Sequence, residues 1–235
     1  MWPLTDITVY YDGNKIKGTT FVGEFKKAVN FISDYYHNSL AGYKPPKTGR
    51  ICIQIKEKRF LQEPTYFGAI CTLSSTMNEG KYLQLSKKEQ YRYLLELIHT
   101  AVIEAAEKLG WDKSIFESAY HIVLGSDFVF EKRQKEKKAK NRKSTGVAIL
   151  AKTEDISTLK VQITAGGATS EVVLLEKKNW FWWDDLYRIA AKCKWIDDDS
   201  FGFDSKSTNE FVYYSFREDK VKRNINLADP ASIIK

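Results

Sequence analysis

Cysteine, histidine and methionine are scarce in this chain: three Cys, three His and two Met among 235 residues. Cys52, Cys71 and Cys193 are odd in number and far apart, so they offer no disulfide framework. No CxxC pair and no His/Cys spacing of the zinc type is present. The expectation is reduced, mostly buried thiols in a cytoplasmic protein, with no metal and no cofactor. His37, His99 and His121 do not pair with one another at ligand spacing. GxSxG, HExxH, the Walker loop and GxGxxG are all missing. That argues against the enzyme classes that carry those signatures. An enzyme with a site assembled from dispersed residues stays as an alternative, because such sites are defined by geometry and not by order. His99 or His121 with Cys71 or Cys193 are the only cysteine–histidine candidates.

Long apolar runs are also lacking. None approaches the ~20 residues that a membrane-spanning helix needs. The opening "MWPLTDITVYYDG" has no basic region followed by an apolar block, so no secretory signal is expected.

What is present is a foldable chain, 43% hydrophobic and 14% aromatic. Residues 5–11 alternate as a strand, "DGNK" reads as a turn, and a second short strand follows through Lys17. Val22, Phe25, Val29, Ile32 and Tyr36 lie on one stripe of a helix over roughly 20–39. "AGYKPPKTG" ends it. Residues 51–55 and 66–73 read as strands. The clearest element is a helix over 86–109, with Ser86 and Glu89 as a capping box and Gly110 as its stop. Asp112 caps the next helix, with Trp111 packed onto Phe116 and an inner face of Ile115, Ala119, Ile122 and Val123. From about 126 the pattern changes to a β-meander, a helix over 181–193 and two strands, "SFGFDS" and "EFVYYSF". The fold class is therefore α+β, with antiparallel sheets and packed helices. An N-terminal β-β-α-β-β-α-α half (1–125) precedes a meander-plus-helix half (126–235). No Pro/Gly/Ser linker marks the junction, so one continuous domain is the alternative.

Charge is concentrated in one place. The net charge is +7. Lys132, Arg133, Lys135, Lys137, Lys138, Lys140, Arg142 and Lys143 are eight basic residues, with Glu136 the one acid among them, giving 8 − 1 = +7. The rest of the chain is therefore neutral. This segment has no apolar helix face, so it is expected as an exposed arm, a hairpin tip or an extension of the strand at 127–131. It lacks the aromatic residues that stack on bases.

A second candidate surface is "NWFWWDDLYRIAAKCKW". Adjacent helix positions point about 100° apart, so its tryptophans cannot all face one core. Trp183, Leu186, Ala190 and Cys193 form the inner stripe. Trp182, Asp185 and Arg188 point away, with Asp185 and Arg188 spaced for an ion pair. Trp180 and Trp182 are candidate partner anchors. "DDDSFGFD" has only a partial calcium-loop pattern, because Phe201 and Thr208 stand where ligands are required. It reads as a turn.

The resulting expectation is a non-enzymatic protein-binding protein, such as an intracellular adaptor or a toxin-neutralising immunity protein. Its partner is another protein. Nucleic acid bound through 132–143 is the second choice, and a membrane is not expected. Nothing in the pattern sets an oligomeric state.

Overall fold

The computed structural model describes residues 3–11, 23–56, 58, 61–178, 185–225 and 227. The chain divides into two compact units, Met1–Val129 and Phe130–Lys235. The class is α+β, with five helices and several sheets among the described residues.

The first unit begins with β1 (Asp6–Tyr11), α1 (Glu24–Ser39) and β2 (Arg50–Lys56). Alternation sends Ile7, Val9, Ile51, Ile53 and Ile55 to one buried face. A helical crossover joins β1 to β2, so the two strands run parallel, Asp6 opposite Arg50 and Tyr11 opposite Ile55. β3 (Thr65–Phe67) and β4 (Ile70–Thr76) follow. The sequence reads 66–73 as one strand, but the chain reverses inside it. Gly68 takes a positive φ of 57° at the first centre of a two-residue turn, the place a type II′ hairpin reserves for glycine. β4 then lies between β2 and β3, parallel to β2, in the order β1-β2-β4-β3. Here the expected antiparallel pairing holds only for β3 with β4. The anticipated strand through Lys17 and the helix start at 20–22 lie outside the described residues.

α2 (Glu79–Gln84), α3 (Lys87–Leu109) and α4 (Lys113–Gly125) complete this unit. The ends of α3 are set as its sequence implies. Glu89 accepts the Ser86 amide at 2.8 Å, and Gly110 stops the helix in the left-handed region at φ 68°. Asp112 accepts the Ser114 amide at 3.0 Å, and the Trp111 and Phe116 rings sit 5.9 Å apart across that cap. Leu94, Leu95, Ile98 and Val102 are fully buried. In α4 the inner face is Phe116, Ala119 and Val123, whereas Ile122 is 52% exposed. In the first turn Phe116 points inward and Ile115 is only half-buried.

The second unit is antiparallel throughout. β5 (Phe130–Arg133) and β6 (Lys137–Lys138) both pair with β7 (Ser144–Lys152), which continues to β8 (Ile156–Ala165) and β9 (Ala168–Lys178). After α5 (Leu186–Lys192), β10 (Lys194–Trp195), β11 (Ser200–Ser205), β12 (Glu210–Ser215) and β13 (Lys220–Asn224) form a second sheet in chain order. The sequence reading missed β13, a strand with one apolar residue among its five. Leu150, Leu159, Val161, Leu186, Ile189, Phe201, Phe203 and Val212 fill the core. The sheets approach so closely at Gly146 that a Cβ there would sit 2.7 Å from the Phe201 ring. Within "DDDSFGFD", Asp197, Asp198 and Asp199 bend the chain from β10 to β11, and Ser200 to Asp204 are β11 itself, so the turn expected between helix and strand joins two strands. Asp185 does not pair with Arg188. It meets Lys177 at 2.5 Å, while the Arg188 guanidinium lies 5.6 Å from the Phe203 ring centre.

Candidate functional site

The basic segment is built into the sheet edge. Pairing Lys132 with Leu150, Arg133 with Ile149 and Lys138 with Thr145 makes β5 and β6 one interrupted edge strand. The chain then turns back. Ala139 bonds across to the Ser144 carbonyl at 2.9 Å, and the Arg142 amide to the Ala139 carbonyl at 3.0 Å, with Arg142 in the left-handed region at φ 59°. Lys140, Asn141, Arg142 and Lys143 form the tip of this hairpin, and all four are exposed. The one apolar side chain in the segment, Ala139, is buried and anchors it.

The eight basic residues divide by role. Three are engaged in the fold. The Arg133 guanidinium reaches Gln162 at 2.6 Å and Glu131 at 3.5 Å across the outer face of the sheet. The Lys132 ammonium lies 5.4 Å from the Tyr187 ring centre. Lys137 donates to the Cys193 carbonyl at 2.5 Å, and its own carbonyl accepts the Trp195 indole N–H at 2.8 Å. The other five, Lys135, Lys138, Lys140, Arg142 and Lys143, have no acidic partner among the described residues. The nearest acid shown at the tip is Asp198, which accepts the Asn141 backbone N–H at 3.2 Å. Five cations within nine residues therefore project from an ordered edge without internal neutralisation. The sequence showed the charge. It did not show the division, because Gln162, Cys193 and Trp195 reach the segment only through the fold.

Trp180 and Trp182 lie outside the described residues. Within the first unit, Cys71 is not brought to His99 or His121. Burial pushes the Cys193 thiol up to about 12, and its Sγ faces the Ile189 carbonyl at 3.4 Å. Burial also pushes Cys71 up to about 11. His99 turns to tyrosines instead: its Nδ1 is 2.9 Å from the Tyr36 hydroxyl, and its ring stacks on Tyr120 at 4.4 Å. Burial holds the His99 imidazole below its usual value, partly offset by Glu96 and Glu117. Among the described residues, no group of three or more His, Cys, Asp or Glu is placed to hold a metal ion, and no helix is long and apolar enough to cross a membrane. No family model matches the chain, and neither a curated protein nor a solved structure matches it.

Proposed function

We propose that this protein works by binding another protein, and that the basic edge of β5, β6 and the 139–143 hairpin meets an acidic surface of that partner. The observation that carries this reading is the set of five unneutralised cations at Lys135, Lys138, Lys140, Arg142 and Lys143. Exposed charges of one sign steer association and select partners of the opposite sign. An adaptor or a toxin-neutralising protein acts in this way. The partner engages side chains and not the strand's backbone edge. β5 is short, lysine-bearing and interrupted before β6, and those three features blunt an edge against strand addition.

Nucleic acid is the second reading, favoured by the projecting tip of Lys140, Arg142 and Lys143. One variant separates the two. Replacing Lys135, Lys138, Lys140, Arg142 and Lys143 with Ser leaves Lys137 in its structural contacts. The wild type should retain an acidic protein from native extract, and the five-serine variant should lose it. The wild type should show no submicromolar affinity for random DNA or RNA at physiological salt. If it binds nucleic acid that tightly, and the variant flattens the duplex salt slope by about 4.5, the partner is nucleic acid.

A further inference from the structure

The first sheet of the second unit ends on two unlike edges. At one end β5 and β6 are short, interrupted and lysine-bearing. At the other, β9 runs for 11 residues. Its opening stretch, "ATSEVV", holds no lysine and no proline, and the register shift comes only afterwards, between Val173 and Leu175. The devices that usually blunt a strand edge are therefore missing from 168–173.

The direction of each backbone group follows from the turn. Gly166 and Gly167, at φ 57° and 83°, join β8 to β9 with Ala165 opposite Ala168. Positive φ at both centres is type I′ geometry, and the pair that closes such a hairpin is hydrogen-bonded. Bonded and non-bonded pairs alternate from there. Ser170 and Val172 thus address β8, whereas Thr169, Glu171 and Val173 turn their N–H and C=O groups outward. Among the described residues no strand takes up those groups. Nothing shields them either, because Ala168, Thr169, Ser170 and Glu171 are exposed and Val173 is 48% exposed. The second sheet extends past this edge. β11 packs on β8 and β12 on β9, so β13, next in that sheet, comes beyond β9. Val221 of β13 shares the inward face with Tyr214, yet Tyr214 is buried and Val221 only half-buried.

We propose that β9 pairs with β9 of a second copy of this chain, antiparallel about a twofold axis. The register that engages all three outward residues sets Thr169 against Val173 of the other copy and Glu171 against its own counterpart. Glu171 brings its charge already offset by Lys160 at 2.9 Å. A second copy is favoured over a foreign strand because the edge is its own complement: three outward residues centred on a neutralised one, and an inward face of β13 that the other copy's β9 covers. The contact is isologous and closes at two copies. It does not continue into a fibre, because the sheet's other edge is the guarded one. A ladder of this length is small, so the dimer is weak and concentration-dependent. The pairing does not rest on the acidic-partner reading. The basic edge lies at the far end of the sheet and stays exposed in the dimer.

The test is sedimentation velocity of the full chain over about a hundredfold range of concentration, which should show a reversible monomer–dimer equilibrium. Glu171→Pro removes an outward amide that β8 does not use, a place where an edge strand tolerates proline. It should weaken association by about tenfold or more. The double variant Thr169→Lys/Val173→Lys keeps every amide, sets cation against cation across the axis, and should do the same. Circular dichroism checks that both variants fold. Raising the concentration of the wild type should slow hydrogen exchange at the Thr169, Glu171 and Val173 amides and leave Ser170 and Val172 unchanged. A monomer at every concentration, a dimer that survives the substitutions, growth beyond two copies, or unchanged exchange at the outward amides would each overturn the pairing.

Discussion

Tyr36 has one hydroxyl proton and two neighbours competing for it. Its oxygen lies 3.1 Å from the Phe116 carbonyl and 2.9 Å from His99 Nδ1. A carbonyl can only accept, so the tyrosine donates to Phe116, and His99 Nδ1 carries a proton and donates to Tyr36. This joins α1, α3 and α4 through a neutral imidazole. The folded-state pKa of His99 is depressed, by burial first. Its contribution to stability is therefore full above the unfolded value of about 6.5 and is lost as pH falls through the lower folded value. Urea midpoints measured at neutral and at mildly acidic pH should differ, and His99→Gln should reduce that difference. Tyr36→Phe should cost about 1–3 kcal/mol by stranding the Phe116 carbonyl and the Nδ1–H. Leu95, fully buried, should cost about 2–5 kcal/mol as Leu95→Ala, measured by denaturant unfolding. Gly146→Val tests the close approach of Gly146 to the Phe201 ring in the second unit. It should lower the thermal midpoint unless Phe201 is made smaller in the same chain.

At the scale of elements, the basic edge is exposed but not uniformly loose. Ladder pairing covers 132–133 and 137–138, whereas 140–143 form the hairpin tip. Limited trypsin digestion should therefore cut first at Lys140, Arg142 or Lys143, since proteases need backbone that opens locally. First cuts at Lys132 or Arg133 would mean that β5 opens before the turn. Elements whose signals are local were legible in the sequence. The caps of α3 and α4 depend on Ser86, Glu89, Gly110 and Asp112, all within a few residues of what they cap. The strands of the meander were legible for the same reason. Parallel pairing of β1 with β2 was not, because period-two alternation shows which side chains share a face and not which strand lies alongside. The reversal at Gly68 was missed because strand-forming residues flank it on both sides, and a single glycine inside such a run also reads as a bulge. For the candidate site, charge and exposure could be read, but the partition between engaged and unpaired lysines depended on residues up to 58 positions away, as with Trp195 and Lys137.

On the scale of the molecule, each unit has its own core, Ile51, Ile53, Leu95 and Ile98 in one and Leu150, Leu159, Phe201 and Val212 in the other. Fragments 1–129 and 130–235 should each unfold cooperatively, by circular dichroism in urea. The two architectures also imply different histories of assembly. In the second unit, β7 meets β8 across a tight turn, Lys152 opposite Ser157, so successive strands zip locally. In the first, β1 finds its partner only after α1 has formed, since Asp6 lies opposite Arg50, and β4 has to enter between β2 and a strand that precedes it in the chain. Closing long loops before any contact rewards them slows folding. Refolding from denaturant should thus have a fast phase that protects β7 and β8 amides from hydrogen exchange and a slower one that protects β2. While that slow phase runs, the isoleucine-rich face of β2 is open to solvent. Aggregation on refolding should therefore begin from the N-terminal unit.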